Sequence, residues 1–429
     1  MDERMARGQE FAGRLLWATF QRLPEKYRDQ WNGGVAVDGT TVIAAQTGTS
    51  KRSSRCSSEP DAYWYIKEGD HRYTEDKKHD DSPVWGYEFT LAAAAMEEPG
   101  NYGIPSLIVG AAMDKPGHSP GRHAVDAVQY LTSLPDTPRG YMVGDRAYFP
   151  GAKPENIHRP MRERGYKLVG DYRKDNFVPK HTASGAVLVD GQLYCPAMAE
   201  KLINASKMLS DDEITRDEHI KLVEQRKPFA LRVKGATASG KATILQCPAK
   251  ANSPSVVCPL AEKIKNPDKA GHINLGLPKV KRPAINTMLK TMPDGARPAV
   301  CFSKNSVTIP NTELDKYRQD GPAYGTAEWR TVFGKYRNII ESRNDLFKHS
   351  RGSGFGDKTS RLMRGFAAHF FNGIAAAASV NLALIRRFVD RVESGTPCAP
   401  KPPTPPQDTL YTSQEDLDQN LSHAPPVSA

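Results

Sequence analysis

The chain is 429 residues long and carries a formal net charge of +10, with a pI of about 9.1. Apolar residues make up 38% and charged residues 25%, which is ordinary for a soluble globular protein. Six cysteines are too few for a disulfide scaffold, and Met1-Asp2-Glu3-Arg4 does not begin an apolar signal peptide. The most apolar run, residues 373–385, is too short to span a bilayer, so we predict a soluble cytoplasmic protein.

The positive charge favours a polyanionic partner, and nucleic acid is the commonest one for a soluble chain. A merely basic surface is an equally good explanation of the charge. The length exceeds that of a usual single domain, so we expect one large core with an inserted or appended piece.

The first elements predict helix followed by sheet. Residues 1–30 have apolar side chains at helical spacings, and a compact apolar strand follows at residues 35–42. Residues 46–83 are rich in Ser, Lys and Asp and predict a long solvated excursion. Two further strands are predicted at residues 85–94 and 106–113.

The next segment alternates helix and strand. Apolar residues at every third position predict a helix over residues 123–134, and residues 140–145 form a short buried strand that ends in a carboxylate. A basic helix at residues 153–165 leads to a strand at 167–172. This order resembles the ribonuclease H-like fold, an α/β fold in which a mixed five-stranded sheet is flanked by helices.

Five segments follow from this organisation. Many Pro and Lys residues and short β-like pieces predict a β-rich insertion, after which helices return at residues 327–349 and 359–392. The end of the chain is rich in Pro and then polar, which predicts disorder. The predicted segments are an N-terminal helical segment (1–30), the first part of the core (31–175), the insertion (176–325), the C-terminal core helices (326–394) and the disordered tail (395–429).

Two aspartates lie at predicted strands. Asp38 sits in an otherwise apolar strand, where a buried unpaired charge costs several kcal/mol, so it needs a partner or a metal. Asp145 is the last residue of the predicted strand at residues 140–145. The alternatives are ordinary: Asp38-Gly39 is also a turn signal, and Asp145 suits a helix N-cap or a turn. Asp190-Gly191 has the same local pattern as Asp38-Gly39, and there we predict a hairpin turn.

Glu341 lies on a predicted helix, beside its apolar arc. At 100° per residue, Arg337, Glu341, Asn344 and Lys348 form a separate stripe about 60° wide. A carboxylate flanked by Arg337 and Lys348 can bind a metal while the two cations hold phosphates. The alternative is a solvated charged face with an i,i+4 pair, which contributes only a few tenths of a kcal/mol.

These residues resemble the motifs of the bacterial insertion-sequence DDE transposases. Arg337-(3)-Glu341-(6)-Lys348 is similar to their Tyr-(2)-Arg-(3)-Glu-(6)-Lys signature, although Gly334 stands where the Tyr is usual. The stretch around Asp38 resembles their first Asp motif. Gly-Asp-Arg-Ala-Tyr at residues 144–148 resembles the second, with Ala where Gly is usual. The similarity runs from about residue 10 to 390.

The resemblance implies that Asp38, Asp145 and Glu341 are catalytic residues that bind two Mg²⁺ (or Mn²⁺) ions per site. Such ions prefer oxygen ligands and stabilise charge during phosphodiester cleavage. It also implies hydrolysis at the ends of a mobile element, followed by attack of the freed 3′-hydroxyl on target DNA. The implied partners are double-stranded DNA and a second copy of the chain, in a homodimer or larger assembly. The implied DNA contacts are Arg146, Tyr148, Arg173, Lys174, Arg337, Arg343, Asn344 and Lys348.

Two weaker patterns concern cations. The basic stretch that includes Arg159, Arg162 and Arg164 predicts contacts to DNA backbone, with a solvated helix face as the alternative. His71 and His79 lie in a polar stretch with neighbouring acids and lysines, which predicts a solvated loop rather than a metal site. Four cysteines in the insertion suit a structural Zn²⁺ site, but they lack a C-x₂-C pair, so buried inert thiols are the alternative. They are Cys195, Cys247, Cys258 and Cys301.

Two other functions remain open at this point. A truncated or domesticated relic would bind DNA or a partner transposase without catalysis, and the near absence of a helical DNA-end-binding domain ahead of the core favours it. A ribonuclease H-like nuclease acting on RNA–DNA hybrids or branched DNA would share the chemistry but not the long insertion. Retention of all three acids favours the active transposase.

Overall fold

In the computed structural model the chain forms two compact units. Unit 1 comprises Met1–Asp145, Arg164–Tyr166 and Val332–Ala429, and unit 2 comprises Arg146–Glu163 and Lys167–Thr331. The structure describes residues 3–46, 48–49, 56–65, 83–96, 103–261, 298–302, 306–359, 361 and 363–396. The predicted loop that contains His71 and His79 and the predicted Pro-rich tail lie outside these residues.

The chain passes from unit 1 to unit 2 after Asp145 and returns to unit 1 for good after Thr331. The sequence predicted an insertion at residues 176–325 instead. The described helices are α1 (Glu3–Phe20), α2 (Glu25–Arg28), α3 (Pro120–Ala127), α4 (Gln129–Ser133), α5 (His158–Glu163), α6 (Glu200–Ile203), α7 (Ala205–Ser210), α8 (Arg216–Gln225), α9 (Ala299–Phe302), α10 (Ala327–Lys348) and α11 (Phe366–Glu393).

The strands confirm the α/β class. They are β1 (Gly34–Ile43), β2 (Tyr63–Tyr65), β3 (Val84–Ala95), β4 (Ile108–Asp114), β5 (Tyr141–Gly144), β6 (Lys167–Val169), β7 (Lys180–His181), β8 (Val187–Val189), β9 (Gln192–Tyr194), β10 (Arg232–Ala236), β11 (Ala242–Gln246) and β12 (Val307–Pro310).

Unit 1 is built on a mixed sheet in which β1 is central. β1 pairs antiparallel with β3 along its whole length, from Gly34↔Ala95 to Ile43↔Gly86. β2 and β4 pair antiparallel with the other edge of β3. β5 pairs parallel with the other edge of β1. Four of the five predicted strands, β1, β3, β4 and β5, lie in unit 1, and the fifth, β6, is assigned to unit 2.

Helix α11 is held against the sheet by a buried amide. Asn381 is fully buried, and its side chain receives a hydrogen bond from Ile108 N (2.7 Å) and donates to Ile108 O (2.8 Å). The same amide donates to Thr19 Oγ1 of α1 at 2.7 Å. Because an unpaired buried amide is costly, these bonds fix the register of two helices against β4.

A second buried polar cluster joins β3 to α11. Glu59 and His369 are both fully buried, and His369 Nε2 lies 3.3 Å from Glu59 Oε1. Glu59 Oε2 accepts hydrogen bonds from Tyr87 OH (3.1 Å) and Gly365 N (2.7 Å). Helix α11 begins just after this glycine, at Phe366, although the sequence predicted a start near residue 359.

The sequence indicated that the apolar run at residues 373–385 is too short to span a bilayer, but it lies within helix α11, which is long and apolar enough to do so by length and composition. Among the described helices no other is. Half of its most apolar window is buried inside the protein, which is consistent with the core helix of a soluble protein.

Unit 2 mixes helices with short strands, whereas the sequence predicted a mainly β insertion. Two three-stranded antiparallel sheets, β7-β8-β9 and β10-β11-β12, lie in it together with α6, α7 and α8. The predicted hairpin at Asp190-Gly191 is confirmed: Val189 pairs with Gln192, and both turn residues have positive φ, as a type I′ turn requires.

Candidate active site

Asp38 and Asp145 are placed side by side by the parallel pairing of β1 and β5. Val37 lies opposite Gly144 in this pairing, so the next residue of each chain is an aspartate. Neighbouring strands are about 4.8 Å apart, which brings the two carboxylates together at the end of β5. Asp38-Gly39 is therefore part of a continuous strand, and the alternative of a turn is wrong.

Glu341 reaches the same place from helix α10. Phe333, Tyr336, Ile340 and Phe347 are buried and fix one face of this helix against unit 1. Glu341 lies next to that face and keeps 44% of its side chain exposed, whereas the Asp38 side chain is 16% exposed. The helix thus presents a partly open carboxylate beside two strand-borne ones.

One guanidinium joins the three carboxylates. Arg337 Nη2 lies 3.1 Å from Glu341 Oε1, and Nη1 lies 3.3 Å from Asp145 Oδ2 and 4.0 Å from Asp38 Oδ1. Burial alone would lower the pKa of Arg337, but the charges of Asp38, Asp145 and Glu341 outweigh it and raise that pKa. The structure therefore brings together all three acids that the sequence singled out.

Asn344 completes the cluster one helical turn after Glu341. Its amide Nδ2 donates to Asp38 Oδ2 at 2.9 Å, and the side chain is almost fully buried. The sequence predicted a DNA contact for Asn344, but here it orients a carboxylate. Burial first, and then repulsion from Asp145, raise the pKa of Asp38 to about 7.

The donor set fits hard divalent cations. Three carboxylates contact a single guanidinium, which balances only part of their charge. Their ligand oxygens do not all lie within 4.8 Å of one another, so a shared cation would have to draw them closer. The raised pKa of Asp38 shows that its charged form is destabilised when no further cation is present. Mg²⁺ and Mn²⁺ take carboxylate oxygens as ligands, so Asp38, Asp145 and Glu341 are suited to hold them.

Binding of Mg²⁺ by these carboxylates would depend on pH. The folded state favours protonated Asp38, so without divalent cations its contribution to stability is greatest below about pH 4 and is lost as pH rises to about 7. Mg²⁺ needs the ionised carboxylate. We expect Mg²⁺ to raise the Tm more at about pH 8 than at about pH 5, as measured by thermal unfolding with and without chelator.

The Asp38→Asn variant removes the titrating group, so its Tm gain from Mg²⁺ should be small at both pH values. Asp29→Asn changes an exposed aspartate of the same unit and serves as the control. An equal Mg²⁺ effect at both pH values in the unchanged protein would contradict the assignment of Asp38 as a cation ligand.

The other predicted DNA contacts on α10 lie apart from the carboxylates or at the helix end. Burial and the nearby charge of Arg387 lower the pKa of Arg343 to about 10, and its Nη2 donates to Ser342 Oγ. Lys348 is the last residue of α10, and its carbonyl accepts a hydrogen bond from Gly356 N. Arg337 and Asn344 are thus predicted DNA contacts that touch the acids.

The remaining predicted DNA contacts belong to unit 2. Arg146 Nε lies 2.6 Å from Asp171 Oδ2, which is 2% exposed, so this arginine neutralises a buried carboxylate. The Tyr148 ring is buried in the unit. Lys174 Nζ contacts Asp211 Oδ1 at 3.0 Å, and Arg173 is exposed. Of these four residues, Arg173 and Lys174 are exposed.

Two arginines of the predicted basic helix bind acids of their own unit. Arg159 Nε lies 2.7 Å from Asp315 Oδ2, and Arg162 Nε lies 2.7 Å from Asp320 Oδ2. Arg162 also donates to the carbonyls of Asp315 and Arg318. These bonds connect α5 to the segment before α10. Both sequence interpretations, DNA contact and solvated face, miss this structural role.

The four cysteines of unit 2 lie near enough to Lys250 for each to act electrostatically on its amine. Cys195 and Cys247 each begin a tight Cys-Pro turn, closed by Met198 N→Cys195 O and Lys250 N→Cys247 O, both 3.0 Å. The backbone N–H groups of Ala197 and Ala249 bond the two sulfurs. Burial, and to a smaller extent the nearby Cys247, raise the pKa of Cys301 to about 12.

These turns resemble the way thiolate ligands are presented to zinc, but the sulfurs are not closely grouped. Among the described residues, the group of possible ligand atoms that lies within 4.8 Å of one another contains none of these cysteines. An ion would have to draw the sulfurs together. The zinc site therefore stays a prediction, with buried thiols as its alternative.

Metal analysis of the full chain decides between the two. A zinc site predicts about one equivalent of zinc that is lost in Cys195→Ser and in Cys247→Ser. Cys56→Ser, which changes the exposed thiol of unit 1, should keep it. Less than about half an equivalent lost in the first two variants would reject the site and leave buried thiols.

Glu88 is the carboxylate near this site that the sequence did not single out. It lies on β3 opposite Thr41 of β1, and burial raises its pKa, with Asp145 adding repulsion. A charged residue in an otherwise apolar strand was the available signal, the same one that identified Asp38.

No protein-family model, no curated protein and no solved structure matches this chain.

Proposed function

We propose that the chain is a DDE-type transposase that cleaves DNA at the ends of a mobile element and transfers the strand into target DNA. The observation that carries this proposal is the meeting of Asp38, Asp145 and Glu341 around Arg337. The three acids come from two strands and a helix that lie far apart along the sequence. Such convergence is typical of residues that share a ligand.

The sheet of unit 1 supports the finer, ribonuclease H-like fold assignment. Its order β4-β3-β1-β5 places the first acid on the central strand and the second after the parallel neighbour. Helix α10 then supplies the third acid. This order is compatible with two strand-borne acids and one helix-borne acid, which the resemblance to the transposases implies.

Divalent cations, when bound, would activate the attacking oxygen and stabilise negative charge on the phosphodiester. Asp38, Asp145 and Glu341 would hold them. Asn344 keeps the Asp38 carboxylate in one orientation through its amide hydrogen bond. The buried face of α10 prevents Glu341 from moving away from the strands, because the aromatic side chains of that face are packed.

Arg337 is the group best placed to hold DNA phosphate. Its guanidinium is always protonated and presents paired N–H donors that match phosphate oxygens. Cations that take over the charge of the three carboxylates leave these donors for the backbone of a bound DNA strand. The net charge of +10 adds a general attraction that weakens as salt increases.

The test is an incubation of the purified full chain with Mg²⁺ or Mn²⁺ and a labelled duplex that carries the sequences flanking its coding region. We expect cleavage at defined positions, release of a 3′-hydroxyl end and joining of that end to a second duplex. Chelator should stop both reactions.

DNA binding without any cleavage under these conditions, with either cation, would overturn the catalytic proposal. That result would favour the relic that binds DNA or a partner transposase. Cleavage confined to RNA–DNA hybrids would favour the nuclease alternative instead.

A further inference from the structure

A second cluster of metal-ligand side chains lies in unit 1, where β4 leads into α3. Asp114 ends β4, His118 lies in the connecting loop, and His123 lies on α3. One ligand atom from each lies within 4.8 Å of the other two. Asp114 Oδ2 is 3.1 Å from His118 Nδ1 and 3.0 Å from His123 Nε2.

These separations suit a shared ion. Ligand atoms at about 2.0–2.2 Å from a tetrahedral zinc ion are separated from one another by roughly 3.3–3.6 Å. The two measured separations fall close to that range, so small movements would complete the coordination. Two imidazoles and one carboxylate favour zinc and similar transition ions over Mg²⁺, which prefers oxygen ligands alone.

The surroundings of the cluster resemble the support that metal ligands receive. Asp126 Oδ2 lies 3.8 Å from His123 Nδ1, the ring nitrogen that does not face Asp114. At 3.8 Å the Asp126 carboxylate is too far for a hydrogen bond, but it lies on the side from which a carboxylate orients a ligand histidine once the two are in contact. His123 is only 14% exposed, so its ring is already held in place.

The loop that carries His118 is fixed independently. Glu88 Oε2 accepts a hydrogen bond from Gly117 N at 2.7 Å, and Gly117 has a positive φ of 69° that favours glycine. His118 N donates to Lys115 O, which closes a turn. The loop therefore presents His118 toward Asp114 without help from a metal.

We infer that Asp114, His118 and His123 form a binding site for one zinc-type divalent ion, separate from the three-carboxylate site. With three protein ligands the ion keeps a coordination position for solvent, consistent with the 62% exposure of His118. The ion links the end of β4 to α3. This inference does not depend on DNA cleavage.

The test is a titration of the metal-stripped full chain with Zn²⁺, followed by calorimetry, and with Co²⁺, followed by visible absorption. We expect His118→Ala and His123→Ala to weaken binding of one Zn²⁺ by about tenfold or more, since loss of a supporting outer group alone costs 10–100-fold. The Co²⁺ bands lost in these variants should lack thiolate charge transfer, which distinguishes this site from the cysteines.

His349→Ala is the matched control, because His349 Nε2 lies 3.5 Å from Asp345 Oδ1 in an exposed pair of the same unit. It should bind Zn²⁺ as the unchanged protein does. His118 is exposed, so its variant remains informative if His123→Ala fails to fold. Unchanged Zn²⁺ affinity and Co²⁺ spectrum in His118→Ala would overturn the site and leave an ordinary histidine–aspartate ion pair.

Discussion

Replacing Glu341 by Gln is expected to abolish metal-dependent DNA cleavage while leaving the fold and DNA binding intact. Glutamine keeps the shape of the side chain but loses the charge that a divalent cation needs. Loss of several kcal/mol of charge stabilisation corresponds to a decrease of roughly a thousandfold or more in the cleavage rate. The measurement is single-turnover cleavage of a labelled duplex with protein in excess.

Glu10→Gln is the control, because Glu10 is an exposed glutamate of α1 in the same unit. It should cleave at the unchanged rate. The proposal has the three acids acting as one unit, which predicts that the double variant Asp38→Asn/Glu341→Gln is no slower than either single variant. Cleavage that survives in Glu341→Gln would remove this residue from the active site.

Replacing Arg226 by Ala is expected to destabilise unit 2 by about 3–5 kcal/mol, because it leaves a buried carboxylate without its counter-ion. The side chains of Arg226 and Asp190 are 1% and 4% exposed, and Arg226 Nη1 contacts Asp190 Oδ2. Arg226 Nε also donates to Leu202 O at 2.7 Å. The measurement is urea unfolding followed by signals from both units.

The neighbouring residue provides a matched control. Lys227 pairs with Glu224, but its side chain is 61% exposed, so Lys227→Ala should change stability by less than about 1 kcal/mol. The double variant Asp190→Asn/Arg226→Met removes both charges and should regain much of the loss, since Asn tolerates the positive φ of this turn. Equal effects of Arg226→Ala and Lys227→Ala would contradict the importance of burial.

Local sequence predicted the long elements well. β1, β3, β4 and β5 lie close to their predicted positions because apolar runs bounded by turn residues identify buried strands. Helix α10 matches its prediction within a few residues because its apolar residues recur at helical spacing. Helix ends were less predictable: the predicted helix at 123–134 is interrupted at Val128, between α3 and α4.

The two Asp-Gly pairs show where local sequence stops being sufficient. Asp190-Gly191 forms the turn of a hairpin, whereas Asp38-Gly39 continues a ten-residue strand. The dipeptide is the same, but β1 is paired along both edges, by β3 and by β5. That pairing, and not the dipeptide, keeps Asp38 extended.

The cations show the same limit more strongly. A run of arginines near residue 160 is equally compatible with DNA contact and with a solvated face. The structure gives Arg159 and Arg162 acidic partners about 155 residues further along the chain. No local pattern encodes a partner at that distance.

The sequence by itself determined that acids stand at the ends of apolar strands and beside the apolar arc of a helix, since hydrophobic periodicity is a local property. Only the tertiary structure decided that Asp38, Asp145 and Glu341 share one guanidinium, because this depends on the parallel register of β1 and β5 and on the packing of α10. Asp114, His118 and His123 are close in sequence, and the turn from β4 into α3 sets their separations. Distances between residues remote in sequence are set by packing, which no single segment specifies.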